Sequence, residues 1–330
     1  MQSRATSGHI LQNDDPADGS CKRRGGKGRR EPSDSVCFPE RRSGTGAASA
    51  IGAGVSVQQD GLGTRRAAFD GRWGGVEVLD VTPELSNPIA ELAIRGAVAR
   101  QPRSGSVLAP VHAVERDGTA LRIISAAPDG RRLSDILRDL EAQSLRLPDE
   151  AILEMAAMVI TAVRWLHEMP GAPCHGALSP HHLVLRENGQ LLLTDGIFAE
   201  PLSRLRANPE RLWRQFGLAL PIAANDPVFD RQADITGAGA IILALLLRRP
   251  LRPAEYPHAI ADLIMAATIP LPEWGPSLRD WLQQALQLRA PFSTSGEAIG
   301  AFAGVLQVAT RRREGARALL SELFAPVRVG

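Results

Sequence analysis

His175-Gly176-Ala177-Leu178-Ser179-Pro180-His181-His182-Leu183-Val184-Leu185, Arg186-Glu187-Asn188-Gly189-Gln190, then Leu191-Leu192-Leu193-Thr194-Asp195 is the stretch whose reading decides the fold. Two short apolar runs flank a polar turn centred on Asn188-Gly189. Asn-Gly accepts the positive φ angles of tight hairpin turns, so the pattern predicts a loop that enters a β-hairpin. The hairpin leaves toward an isolated aspartate, Asp195.

This frame resembles the catalytic segment of protein kinases, in which H-R-D-L-K-P-x-N precedes a hairpin that ends in D-F-G. The frame matches better than the chemistry. The base position holds Ala177, the lysine position Ser179, the asparagine position His182, and D-F-G has become Asp195-Gly196-Ile197. The resemblance implies an α+β fold of two lobes, a small strand-rich N-lobe and a larger helical C-lobe, with most of the phosphotransfer apparatus missing.

Working outward, residues 148–168 carry Ile152, Met155, Ala156, Val159, Ile160, Val163 and Leu166. That i, i+3, i+4 stripe predicts a core-facing helix, with Asp149 and Glu150 suited to the dipole of its first turn. On the other side, Asp195 to Asp230 is rich in Pro and Arg and reads as irregular; Asn208-Pro209-Glu210 is a faint echo of the family's A-P-E. The run from Ile235 to Leu247 is nearly all apolar but spans only 13 residues. A membrane-crossing helix needs about 20, so it reads as a helix buried inside a domain. In the resemblance Asp234 is the aspartate that ties down the backbone of the catalytic loop. Leu278–Leu288 and Glu297–Leu306 predict two more helices, and the C-terminal tail one short helix.

Upstream, residues 49–127 read as short strands around one helix. Ile51-Gly52-Ala53-Gly54-Val55 and Gly61-Leu62-Gly63-Thr64 are the glycine-bearing stretches. Either could stand where kinases place a glycine-rich loop over the phosphates, though neither completes G-x-G-x-x-G and glycine turns between strands are the competing reading. Matching Gly75-Val76-Glu77-Val78-Leu79 to the V-A-I-K strand puts Leu79 where the phosphate-pairing lysine belongs. A helix is predicted near Asn87 to Arg100, with Glu91 as that lysine's would-be partner or an ordinary exposed carboxylate. Val107–Ala113 and Leu121–Ser125 read as strands joined at Asp117-Gly118. Ala126 to Gly130 resembles the hinge between the lobes, where backbone groups bind adenine; Gly61, Gly63 and Ala127 mark the nucleotide cleft that this implies. The next helix begins near Leu133.

Composition narrows the function. The only lysines are Lys22 and Lys27, both in the N-terminal tail, so the folded part contains none. A net charge of +2 gives no field that argues for nucleic acid or an anionic membrane. The basic run Lys22 to Arg30 could serve as an arm for nucleic acid or an acidic partner, but such runs are common in disordered tails. Cys21, Cys37 and Cys174 are odd in number and widely spaced, without a C-x-x-C pair, which fits a reducing compartment. The N-terminal region holds no apolar core of secretory length, and the expected location is the cytoplasm. Cys174, His175, His181 and His182 have the chemistry zinc prefers, but adjacent residues point different ways and no metal spacing accompanies them.

Domain organisation follows: 1–48 a disordered basic tail, 49–127 the N-lobe, 128–308 the C-lobe, and 309–330 a tail or short helix. Phosphoryl transfer is positioning plus charge neutralisation, so its parts can be checked one by one. The clamp lysine, the base, the loop lysine and the second-metal asparagine are all absent; Asp195 alone remains in frame as a magnesium position. Two readings stay open. One is a pseudokinase of bacterial serine/threonine-kinase type, a regulatory or scaffolding module for another protein. The other is a kinase-class enzyme with an unorthodox ATP site, Arg65 or Arg66 replacing the lysine. The first requires no cofactor and leaves room only for weak ATP or Mg-ATP binding.

Overall fold

Alternation and turn chemistry build the N-terminal sheet. A computed structural model describes residues 57–101, 107–171, 174–221, 227–271 and 273–323. The N-terminal tail and the Ile51 to Val55 glycines lie outside these residues. Strands β1 (Val57–Asp60), β2 (Gly63–Asp70), β3 (Gly74–Val81), β4 (Val111–Asp117) and β5 (Ala120–Ala126) form one antiparallel sheet in the order β1-β2-β3-β5-β4. The β2–β3 turn is closed by Asp70, whose carboxylate accepts from the backbone of Arg72 and Trp73. Between β3 and β4 lies helix α1 (Pro88–Arg100), capped by the Asn87 side chain, with Pro88 at its first position, where the missing N–H costs nothing. Ala90, Ala93 and Ile94 are its buried residues.

One predicted strand starts later than its apolar pattern suggests. Residues 107–109 pair with the C-terminal half instead: Leu193 donates to the Val107 carbonyl and Ala109 to the Leu193 carbonyl, both at 2.7 Å. Pro110 has no N–H for a ladder, and β4 begins after it.

The chain then passes through β6 (Arg131–Arg132) into helices α2 (Leu133–Glu141) and α3 (Asp149–Glu168). The predicted hairpin is β7 (Leu183–Leu185) and β8 (Leu191–Leu193), with Gly189 at φ 73° in its turn. The segment expected to be irregular holds two short helices, α4 (Ala199–Ser203) and α5 (Pro209–Phe216). The faint motif at Asn208-Pro209-Glu210 is the start of α5, with Asn208 as its cap. Helix α6 (Arg231–Leu247) buries 13 consecutive residues, Ala233 to Leu245. No helix among the described residues is long and apolar enough to cross a membrane.

Helices α7 (Ile260–Thr268), α8 (Gly275–Ala285) and α9 (Ser295–Leu323) complete the C-lobe. Helix α9 runs unbroken through residue 308, so the tail expected from 309 onward begins inside a 29-residue helix. The main core gathers α2, α3, α6, α8 and α9 around Leu153, Val163, Ile242 and Trp281. A second core crosses the lobes. Leu62, Leu79, Ile94 and Ile123 from the N-lobe join Ala177, Ile197, Phe198, Leu212 and Phe216 from the C-lobe.

Candidate functional site

The loop 175–182 is held from below by one aspartate. Asp234, fully buried in the first turn of α6, accepts from the backbone N–H of His175 at 2.8 Å and of Gly176 at 2.7 Å, and contacts His167 Nε2 at 2.9 Å. Gly176 sits at φ 69°, and a Cβ there would lie 2.4 Å from that of Ala199, so the tie requires glycine. His175 is buried against the hairpin: its Nε2 lies 2.7 Å from the Thr194 carbonyl and Nδ1 accepts from the Ala177 N–H at 3.3 Å. Both nitrogens are thereby assigned and the ring is neutral. Burial also pushes its pKa below the ordinary value.

Ala177 turns its methyl into the cross-lobe core. Its carbonyl accepts from His182 Nδ1, which also lies 3.2 Å from the Ser179 hydroxyl. His182 Nε2 is therefore a bare acceptor; it is buried, forms no hydrogen bond, and faces Asp60 at 3.9 Å. Burial pushes the His182 pKa down to about 4 despite the nearby carboxylates of Asp195 and Asp60.

Above this loop the cleft between the lobes is filled by charge. Arg65, on β2 and 3% exposed, reaches Asp60 at 2.8 Å, Glu77 at 3.2 Å and Asp195 at 3.1 Å. Glu77 is also bound by Arg132 from β6, whose guanidinium contacts the Thr194 hydroxyl at 3.3 Å and the His181 carbonyl. Asp195 adopts φ 66°, a left-handed conformation that aspartate tolerates better than most residues, and accepts from the Thr194 hydroxyl at 2.6 Å. Burial alone would raise its carboxyl pKa; Arg65, then His182 and Arg132, overcome this and hold it well below the usual range. The same balance, dominated by Arg65, holds Asp60 low.

The glycine turn closes over this cluster. Asp60 Oδ1 accepts from the N–H groups of Leu62 at 2.8 Å and Gly63 at 3.2 Å, curling the turn inward. Leu62 is fully buried in the cross-lobe core. Gly61 rests on α5 so closely that a Cβ would lie 2.3 Å from the Gln215 carbonyl oxygen.

Other predicted positions lie away from the cluster. Leu79, matched to the clamp lysine, is buried opposite Arg65 in the β2–β3 ladder, so the cation facing Asp195 comes from β2. Glu91 does not reach the cleft: it pairs with Arg95 and Arg116 on the outer side. Ala127 is exposed and donates to the Gly75 carbonyl at 3.2 Å. Cys174 donates to the Phe229 carbonyl, and burial raises its thiol to about 11; no cluster of three or more His, Cys, Asp or Glu that could hold a metal occurs among the described residues. Sequence reasoning missed Asp60, Glu77, Arg132 and Thr194. A charged residue inside the alternating apolar strand 75–81 was the available signal for Glu77.

Solved structures resemble this arrangement. The kinase domain of Mycobacterium tuberculosis PknI is 18% identical, with TM-score 0.51 over 78% of this chain and 99% of that one. A second structure of that domain gives TM-score 0.53 at 17% identity, over 76% and 94%. The maize sucrose-induced receptor kinase SIRK1 domain, solved with AMP-PNP, gives 0.52 at 15% identity, over 80% and 98%. The fold is that of protein kinases. No family model matches the chain, and no curated protein matches it either. At these identities the kinase likeness speaks for architecture alone.

Proposed function

We propose that this kinase-like chain is a pseudokinase, a regulatory or scaffolding module that engages another protein by shape. The observation that carries this is the occupied cleft. In the V-A-I-K frame Glu77 stands at the alanine, and its carboxylate, with Arg65 and Arg132, fills space that a nucleotide would need. Beside it Leu62 is buried in the cross-lobe core and Gly61 rests on α5, so the glycine turn is packed down rather than open. Nor do the residues fit magnesium. Asp195 is 6% exposed and already engaged by Arg65 and Thr194, while the nearby His182 offers nitrogen where Mg²⁺ wants oxygen. Ala177 leaves no base to take a hydroxyl proton. A cytoplasmic, bacterial setting and a protein partner complete the proposal.

The second reading is a kinase-class enzyme, favoured by Arg65 standing beside Asp195 as a substitute cation. The maize kinase holds its nucleotide analogue in this fold; here the same role would require Arg65 to exchange three carboxylates for phosphates. Thermal-shift titration with ATP, with and without Mg²⁺, separates the two. The pseudokinase reading expects no shift at sub-millimolar nucleotide. A shift of several degrees, with phosphate transfer abolished by Asp195→Ala, would establish the enzyme instead.

A further inference from the structure

A cavity of about 400 Å³ lies mainly in the C-lobe, beside the charge cluster, with Gly61 of the N-lobe at its edge. It is enclosed by α2, the loop 178–181, α5 and α6, and its floor is apolar: Leu137, Leu178, Trp213, Ala240, Ile241 and Ala244. That volume falls in the range of small-molecule sites, about 300–1,000 Å³. A second, polar cavity of about 470 Å³ adjoins it at the mouth of the cleft, and Ser134, Arg138 and His181 line both.

Those three residues form a polar neck above an apolar chamber. Ser134 is 7% exposed and, among the described residues, its hydroxyl makes no hydrogen bond. The imidazole of His181 likewise has no hydrogen-bond partner among them. A polar side chain at the edge of an apolar cavity can hydrogen-bond the polar end of a ligand. The polar cavity is balanced in charge, with Arg131 paired to Asp139 and Arg138 to Asp135; the apolar cavity is not. The apolar cavity is lined by two guanidiniums, Arg138 and Arg214, and one carboxylate, Glu141, which Arg252 already binds. Arg138 and Arg214 pair only with carboxylates on their own helices, Asp135 and Glu210, with side chains 65% and 64% exposed. Such pairs are worth little and leave donors for an incoming anion.

We propose that this cavity is a binding site for an amphiphilic monocarboxylate, its aliphatic body in the chamber and its carboxylate at the neck on Ser134 and Arg138. The cavity borders the cleft at Gly61 and Ser179, but the proposal does not rest on nucleotide binding there.

Isothermal titration of the full chain with decanoate, decanol and decylamine tests it. The expected result is saturable one-to-one binding of decanoate at sub-millimolar concentration, weaker binding of decanol and none of decylamine. Arg138→Gln lies on the surface and leaves the core intact; it should weaken decanoate about three- to tenfold, the loss of one charge-assisted contact, and leave decanol unchanged. Ala240→Leu, which fills the chamber, should abolish both. If that variant does not fold, Arg138→Gln alone carries the test. Absence of decanoate binding, a preference for decylamine, binding that survives Ala240→Leu, or capture of an apolar peptide with no response to decanoate would each overturn the assignment.

Discussion

Replacing Arg65 by methionine removes the one cation shared by three carboxylates while roughly keeping the volume of the side chain. Arg65 is 3% exposed and lies 2.8 Å from Asp60, 3.2 Å from Glu77 and 3.1 Å from Asp195. Taking one partner from a buried ion pair costs about 3–5 kcal/mol, because the remaining charge stays buried without compensation. Glu77 keeps Arg132, so the loss concentrates on Asp60 and Asp195. Urea unfolding followed by circular dichroism at pH 7 should therefore show a deficit of about 3–5 kcal/mol. The deficit should shrink as pH falls toward 5. Without Arg65, burial raises the folded-state pKa of both aspartates above the unfolded value, so the variant gains stability as they take up protons. Arg65→Met combined with Asp195→Asn should recover part of the loss, by about 0.5–3 kcal/mol. The neighbour Arg66, 40% exposed and 3.5 Å from Asp80, is the control: Arg66→Met should cost less than about 1 kcal/mol. A deficit below about 1 kcal/mol for Arg65→Met, or one unchanged between pH 7 and pH 5, would refute the reading of Arg65 as the cation that compensates the buried carboxylates of Asp60 and Asp195.

Three further outcomes follow from the same geometry. Asp234→Ala strands two buried N–H groups, of His175 and Gly176, and should cost about 2–5 kcal/mol by urea unfolding, whereas loss of a merely exposed acid would cost almost nothing. Gly61→Val places a side chain against the backbone of Gln215 and Phe216; amide exchange at Leu62 and Gly63 should quicken at least tenfold, and unchanged exchange would show that the turn is not seated on α5. His182 is depressed to about 4 in the folded chain against an unfolded value near 6.5, so its contribution is complete above about pH 6.5 and is lost as pH falls toward 4, by about 3 kcal/mol. His182→Gln should flatten the stability profile in that window; a profile as steep as the parent's would assign the acid sensitivity to other groups, His175 first, whose pKa is shifted the same way.

Local pattern alone determined much of the architecture. The Asn188-Gly189 turn between two leucine-rich runs, the apolar stripe from Ile152 to Leu166 and the nearly all-apolar run from Ile235 to Leu247 each report on neighbours a few positions away, and each element lies where that pattern placed it. Asp234 was legible only through the resemblance to protein kinases, not from local pattern; it lies in the first turn of α6. What only the tertiary structure decided is which charges meet. Arg65 and Asp195 are 130 residues apart, and Glu77 and Arg132 are 55 apart. Nothing local distinguishes Arg65, which is buried, from Arg66, which is half-exposed. Strand alternation sends their side chains to opposite faces, but which face becomes the closed cleft depends on how the sheet settles on the C-lobe. The same holds for Glu91, whose helix was predicted and whose direction was not: rotation of α1 turned it toward Arg116 on the surface. Helix and hairpin signals are short-range and survive in one dimension, whereas an ion-pair cluster is a property of three-dimensional proximity and its low local dielectric.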